Sequence, residues 1–97
     1  LAPHLAARWA AKEAFVKAWS TALVELKGTT IPQPLSLESF NWDQVEAVLD
    51  EQLRPQLMLR GQVAQAVSQS VGELSWLVSL THEGNWASAV VIAALAA

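Results

Sequence analysis

The sequence predicts an α+β domain in which one long helix packs on antiparallel β-hairpins. Residues 5–26 contain no Gly or Pro and are rich in Ala, Leu, Trp, Lys and Glu, which is typical of a long helix. Residues 75–80 and 86–95 are rich in Val, Leu, Ile and Trp and are separated by Gly84-Asn85, the pattern of a β-hairpin. The 97 residues are expected to form a single domain, because so short a chain has room for one core.

The long helix is expected to end at Gly28, where a C-cap residue is needed. At about 100° per residue, Arg8 and Lys12 fall on the apolar stripe of this helix, with Glu13 and Lys17 beside it. The alanines at positions 7, 11, 14, 18 and 22 flank the stripe and are suited to close packing. The apolar stripe itself consists of Trp9, Phe15, Val16, Trp19, Leu23 and Leu26.

The middle of the chain is open to two interpretations. Residues 29–36 carry two prolines without a helical period and are predicted to form a loop. Residues 41–52 have the propensity of a short helix, with Asp43 near its positive end. Residues 45–50 and 56–59, however, flank a Leu-Arg-Pro turn and would also suit the two strands of a hairpin.

The last third of the chain is more regular. Residues 62–71 place Val63, Ala66, Val67 and Val71 three and four positions apart, which predicts a short amphipathic helix closed by Gly72. The second arm of the terminal hairpin is apolar on both faces, as expected for a strand that is covered on two sides. Polar groups gather at the mouth of this hairpin: Ser79, Thr81, His82 and Glu83.

Composition excludes several classes of function. The net charge is −3, so the excess of Lys and Arg that a nucleic-acid binder needs is missing. Cysteine is absent, which excludes disulfides and thiolate chemistry and fits a cytoplasmic protein. The longest uncharged run near the end, residues 84–97, is too short to cross a bilayer, so no membrane association is expected. Apolar residues reach 53%, which suggests that some apolar surface is buried against another subunit or a further part of the protein.

The charges on the long helix have two interpretations. Glu13 and Lys17 would form an ordinary ion pair one turn apart, while Arg8 and Lys12 extend past the edge of the core. Alternatively, the three cations hold phosphate oxygens and Glu13 holds a divalent metal that bridges them. His82 is similarly either a surface residue of the turn or a group that binds phosphate or carries a proton.

Two sequence motifs occur in this chain in the same order as in a known family. Residues 8–19, RWAAKEAFVKAW, resemble the F/W-A-x-K-E-A-x-x-K motif of the 4′-phosphopantetheinyl transferases. Residues 78–92, VSLTHEGNWASAVVI, resemble the S-x-S-H-x-x-x-x-A-x-A-x-V strand pair of the short holo-[acyl-carrier-protein] synthase branch, most like its actinobacterial members. Between them, residues 45–61 are similar to a β-hairpin of the family, which favours strands over a helix there.

The resemblance implies transfer of the 4′-phosphopantetheine arm from coenzyme A to a serine of apo acyl carrier protein, with release of 3′,5′-ADP. Glu13 matches the glutamate of the family that binds Mg²⁺, and Lys17 matches the lysine that contacts the phosphates. The resemblance further implies that Arg8 and Lys12 help to hold coenzyme A. His82, with Ser79 and Thr81, matches the strand that lies against the nucleotide. The catalytic residues expected from the resemblance are Glu13, Lys17 and His82.

The family pattern differs from this chain in one respect. Members carry an N-terminal strand with a G-x-D motif, whose aspartate is a second metal ligand, and this sequence has no counterpart. We expect that the N-terminal portion is missing here and that the missing strand would cover part of the sheet. The short branch forms homotrimers with coenzyme A between subunits, so a homotrimer is expected. Two alternatives are a non-catalytic domain that binds coenzyme A or a carrier protein, and the transferase domain of a multidomain fatty acid synthase.

Overall fold

The order of elements confirms the predicted α+β domain. The computed structural model of the chain describes residues 3–29 and 32–95, with side chains from residue 5 onward. The helices are α1 (Pro3–Lys27) and α2 (Gly61–Val71), and a 3₁₀ turn covers Trp42–Gln44. The strands are β1 (Val45–Leu49), β2 (Pro55–Leu59), β3 (Leu74–Glu83) and β4 (Trp86–Leu95). Among these described residues, neither helix is both long and apolar enough to span a bilayer.

Helix α1 ends as predicted, but its buried face includes part of the alanine flank and leaves out two residues of the predicted stripe. Gly28 has φ 106° and its N–H donates to the carbonyl oxygen of Val24 at 2.9 Å, which closes the last turn. Leu26 and Trp9 were placed on the buried stripe, yet they are 49% and 41% exposed. The buried side chains of α1 are Ala7, Ala11, Phe15, Val16, Trp19 and Leu23.

Small residues on β4 account for the burial of the alanine flank. Helix α1 makes its most extensive contacts with β4. The residues of β4 that face the same side as the inward residues of β3 include Ala87, Ala89 and Ala93. Because alanines lie on both surfaces, the helix approaches the strand along its alanine flank, and Ala7 and Ala11 are buried.

The first hairpin resolves the ambiguity in the middle of the chain in favour of strands. Strands β1 and β2 are antiparallel, and their register runs from Val45 opposite Leu59 to Leu49 opposite Pro55. Only the three residues before β1 are helical, and they form the 3₁₀ turn. The prediction of strands over residues 45–50 and 56–59 is therefore confirmed.

The terminal hairpin is longer than predicted and is covered on one face only. Strand β3 continues to Glu83, and β4 pairs with it antiparallel. The described residues of one copy do not supply the predicted cover on both sides of β4, because α1 packs on one face alone. The outward face carries side chains that are more than half exposed: Leu77, Trp86, Val90 and Ile92.

The core lies between α1, α2 and the two hairpins. Helix α2 contributes Val63, Val67 and Val71, which confirms the predicted amphipathic helix. The Phe15 ring stacks on Trp19, with centroids 6.1 Å apart, and meets the edge of Trp76 at 4.8 Å. These contacts place the Phe15 and Trp19 side chains of α1 at the centre of the domain.

The Trp19 indole has a polar partner within this core. Its Nε1 donates to Ser70 Oγ at 3.0 Å, and the Ser70 hydroxyl donates to the Ala66 carbonyl oxygen at 2.7 Å. Since Trp19 is fully buried, the indole N–H would lack a partner without this hydroxyl.

The Trp19–Ser70 hydrogen bond generates a stability prediction. We expect Ser70→Ala to lower the free energy of unfolding by about 1–3 kcal/mol, because it leaves a buried N–H unsatisfied. Urea unfolding with an unchanged m-value would measure this loss. Ser68→Ala is the matched control, since Ser68 lies on the same helix and its hydroxyl bonds only to exposed Glu73. Equal losses in both variants would contradict the role of the bond.

The turn of the first hairpin generates a prediction on pH. The Asp50 carboxylate accepts hydrogen bonds from the backbone N–H and the Nε of Arg54 and from the N–H of Gln52, each at 2.9 Å. The backbone N–H of Arg54 contributes most to lowering the pKa of Asp50 below its ordinary value of 3.8. A lowered pKa stabilises the fold above pH 3.8, and this contribution is lost as the pH falls through the lowered pKa.

We therefore expect the melting temperature of Asp50→Asn to lie below that of wild type at pH 7. The two melting temperatures should converge as the pH falls below about 4. Thermal melts across this range would measure the difference. Glu51→Gln, a change at the exposed neighbouring acid, is the control and should follow wild type throughout. A gap between Asp50→Asn and wild type that is constant with pH would contradict the charge argument.

Candidate functional site

Glu13 and Lys17 lie one turn apart on the exposed side of α1. The ion pair considered from the sequence does not form between them. The ion pairs between described residues are Arg54–Asp50 and Arg60–Glu46, both on the first hairpin or its end. The carboxylate and the ammonium on α1 therefore both face solvent and are available to a ligand.

Lys12 points in another direction and is engaged within the chain. Its Nζ donates to the carbonyl oxygen of Trp42 at 2.8 Å and lies 5.3 Å from the centre of the Trp9 ring. The Trp9 and Trp42 rings are themselves in contact, with centroids 5.6 Å apart. The ammonium group thus has a hydrogen-bond acceptor and an aromatic face as its partners.

Arg8 and His82 meet at one cavity, although they are 74 positions apart along the chain. This cavity of about 210 Å³ lies between the start of α1, the first hairpin and β3. Its apolar walls include Leu49, Leu53 and Leu80. A guanidinium and an imidazole at the rim of an apolar cavity suit a ligand with both an anionic and an apolar part.

Strand geometry separates the polar residues of β3. Alternate residues of a strand point to opposite faces, so His82 shares the inward face with Leu80, while Ser79 and Thr81 point outward. Thr81 and His82 still line a common open cavity of about 330 Å³ at the mouth of the hairpin, with Glu83, Trp86 and Ser88. Ser79 pairs with Val90 farther along the strand and does not line this cavity.

The predicted site residues therefore form three separate groups in one copy of the chain. One group is Glu13 with Lys17, the second is Arg8 with His82, and the third is Ser79 with Thr81 on the outward face of β3. Lys12 is turned toward Trp42. This division suggests that one copy supplies parts of a site rather than the complete site.

The side chains that could ligate a metal ion limit the kind of metal site that this chain can form. Among the side chains of residues 5–29 and 32–95, no group of three or more His, Asp or Glu gathers in a way that would hold a metal. A metal at Glu13 would thus have one carboxylate ligand from α1. Mg²⁺ commonly binds through one or two carboxylates and takes its other ligands from water and substrate phosphates. Glu13 fits that pattern, and it does not fit a closed structural metal site.

The walls of the Arg8–His82 cavity and the Trp42 carbonyl were not anticipated from the sequence. Leu49 and Leu53 belong to a hairpin that the local pattern left ambiguous. The contact between Lys12 and Trp42 spans 30 positions and involves a backbone oxygen. Side-chain periodicity carries no information about such an acceptor, so no local signal would have found it.

Comparisons with known proteins agree with the motifs. Residues 1–91 match the family model of the "4′-phosphopantetheinyl transferase superfamily". Relatives named "Holo-[acyl-carrier-protein] synthase" include proteins from Bifidobacterium adolescentis, 38% identical over 101 residues, and Mycobacterium ulcerans, 44% identical over 92 residues. Each alignment covers 94% of this chain but only 66% and 62% of the relative. The chain thus spans less than two thirds of the length of these proteins.

Solved structures agree with the fold. One described as "Chronobacterium ammoniagenes ACPS-CoA complex" superposes with a TM-score of 0.87 at 35% identity and covers 98% of this chain and 67% of that one. A second, described as an apo-ACPS structure from the same source, gives a TM-score of 0.83 at 37% identity. It covers 92% of this chain and 63% of the other. These matches confirm the predicted fold of a long helix on antiparallel hairpins.

Proposed function

This chain belongs to the 4′-phosphopantetheinyl transferase superfamily, and we propose that the protein transfers 4′-phosphopantetheine from coenzyme A to a serine of apo acyl carrier protein. The products are holo acyl carrier protein and 3′,5′-ADP. The observation that carries the proposal is the exposed pair of Glu13 and Lys17, which lie one turn apart without forming an ion pair. The relatives named as holo-[acyl-carrier-protein] synthases support it.

The reaction exchanges one P–O bond for another. The serine oxygen of the carrier attacks the phosphorus that bears the pantetheine arm, while the bond from this phosphorus to the bridging oxygen breaks. The bridging oxygen leaves with the electron pair as part of 3′,5′-ADP, and the serine proton must pass to a base. Negative charge grows on the phosphate oxygens, so cations placed beside them lower the barrier.

Lys17 is the cation that we assign to the phosphate oxygens, because its ammonium is exposed beside Glu13. Glu13 would hold Mg²⁺, which when bound neutralises charge on the pyrophosphate. Arg8 and His82 lie together at a cavity with apolar walls and would bind another part of coenzyme A. Thr81 and Ser79 supply hydroxyl donors on β3, and His82 can bond a phosphate or accept the serine proton.

We further propose that the protein is a homotrimer. The outward face of the terminal hairpin exposes Leu77, Val90 and Ile92 next to one another on paired strands, with Trp86 farther along at the turn. A contiguous apolar face of this kind is suited to contact with another subunit. The separation of the predicted site residues into groups on different faces also fits a site completed between copies.

The lack of cysteine fits a reducing compartment, and we place the activity in the cytoplasm, in fatty acid biosynthesis.

The metal assignment generates a prediction on activity. We expect Glu13→Gln to reduce transfer at least about a hundredfold while leaving the fold intact, because it removes the carboxylate that would hold the metal. The measurement is intact-mass analysis of apo acyl carrier protein after incubation with full-length enzyme, coenzyme A and Mg²⁺, with a metal-free control.

Glu25→Gln is the matched control, since Glu25 is an exposed carboxylate farther along the same helix, and it should retain wild-type transfer. A Glu13→Gln protein that modifies the carrier as fast as wild type would exclude the metal role. A wild-type protein that binds coenzyme A but leaves the carrier unmodified would instead favour the non-catalytic alternative.

The proposed trimer generates a separate prediction. We expect Ile92→Lys to convert the trimer to monomers, because it places a charge at the centre of the outward apolar face. Molar mass from light scattering would report the change, with circular dichroism to check the fold. Leu37→Lys, a change at an exposed leucine of the loop, should leave the mass of the trimer unchanged. A monomeric wild-type protein would exclude this assembly.

A further inference from the structure

We propose that Lys12 is a positioning residue that holds the 3₁₀ turn before β1 against α1, and so fixes the helical turn that presents Glu13. The inference rests on the proposed transferase function and deepens it. It differs from the expectation, drawn from the resemblance, that Lys12 helps to hold coenzyme A. Its basis is the set of contacts that the Lys12 ammonium makes within the chain.

The ammonium group of Lys12 has two partners inside the chain. It donates to the Trp42 carbonyl oxygen at 2.8 Å in a partly buried setting, and it lies 5.3 Å from the centre of the Trp9 ring. Hydrogen bonds from a charged donor are among the stronger ones in proteins, and a cation over an indole face adds to them. A phosphate ligand of Lys12 would have to compete with both.

The direction of the side chain also separates Lys12 from the exposed pair. At about 100° per residue, Lys12 and Lys17 project roughly 140° apart around α1, whereas Glu13 and Lys17 are roughly 40° apart. One phosphate group beside Glu13 and Lys17 is therefore on a different side of the helix from Lys12. The structure agrees, because Lys12 is directed toward Trp42 while Glu13 and Lys17 are exposed.

The carbonyl that Lys12 contacts belongs to a connected part of the fold. The Trp42 oxygen also accepts from the backbone N–H of Val45, the first residue of β1. Trp42 packs against Phe40, with ring centroids 4.7 Å apart, and Phe40 is buried. Lys12 therefore joins α1 to a turn that is itself held to the core and to β1.

Glu13 is the next residue of α1 after Lys12. The Lys12–Trp42 bond limits sliding and rotation of this helical turn relative to the first hairpin. Catalysis that depends on aligned groups is sensitive to displacements of about 1 Å, which can cost about a hundredfold in rate. Loss of the Lys12 contacts should thus act on the chemical step, through the placement of Glu13, and not on the affinity for coenzyme A.

The test compares four variants of the full-length protein in steady-state transfer assays. Lys12→Met removes the charge, while Lys12→Arg keeps a donor for Trp42 and a cation for Trp9. Lys17→Met removes the cation assigned to phosphate. Lys27→Met is the control, since Lys27 is an exposed lysine in the last turn of the same helix. Near-UV circular dichroism of the tryptophans reports on the Trp9–Trp42 contact without any substrate.

We expect Lys12→Met to lower kcat about tenfold or more, to leave KM for coenzyme A within about twofold of wild type, and to change the near-UV spectrum. Lys12→Arg should recover at least half of kcat and the wild-type spectrum. Lys17→Met should instead lower kcat and also raise KM for coenzyme A, with an unchanged near-UV spectrum, and Lys27→Met should match wild type.

A rise in KM for coenzyme A of about tenfold in Lys12→Met, with an unchanged near-UV spectrum, would overturn the inference in favour of a direct phosphate contact. Unchanged kcat and KM in Lys12→Met would also overturn it. If the proposed function itself is wrong, the outcome is different, because the wild-type protein then transfers no phosphopantetheine. The near-UV spectrum of Lys12→Met would still show in that case whether the lysine holds the two tryptophans together.

Discussion

The three-residue turn Trp42–Gln44 is the constraint that fixes both helices relative to the first hairpin. Its first residue accepts a hydrogen bond from Lys12 on α1 through a carbonyl oxygen. Its last residue, Gln44, accepts at Oε1 from the N–H of Val63 at 3.0 Å, which caps the start of α2. The Gln44 carbonyl oxygen also accepts from the N–H of Arg60 at 2.8 Å, at the end of β2. One short turn therefore connects both helices to the first hairpin.

Gly61 has a sequence requirement that follows from this connection. Its φ of 54° lies in the left-handed region, and a Cβ there would collide with Gln44 Nε2. The Gln44 side chain cannot move away without giving up its bond to Val63. A glycine at the start of α2 is thus needed because the cap of that helix comes from a distant side chain. The residue before the helix, Arg60, provides no side-chain cap.

Two features of the candidate site follow from positions along one helix or one strand, and a third depends on how separate elements pack together. Exposure of Glu13 and Lys17 follows from their position on α1 relative to the alanine flank that packs on β4. The meeting of Arg8 and His82 depends on how the start of α1, the first hairpin and β3 come together. Strand alternation then directs Ser79 and Thr81 to the opposite face from His82. In a chain with few charges, the polar residues are thus distributed over surfaces that one copy does not unite.

The sequence by itself determined the family, most of the elements and the residues to which the proposed chemistry is assigned. The long helix, Gly28, the amphipathic α2 and the Gly84-Asn85 turn depend on neighbours a few positions apart, so periodicity and turn residues sufficed to predict them. The family motifs are likewise contiguous. Tertiary structure alone decided that Leu26 and Trp9 are exposed, that Lys12 binds Trp42 and that Arg8 lies at a cavity with His82. These outcomes depend on which surfaces pack and on backbone acceptors tens of residues away, and local side-chain patterns contain neither.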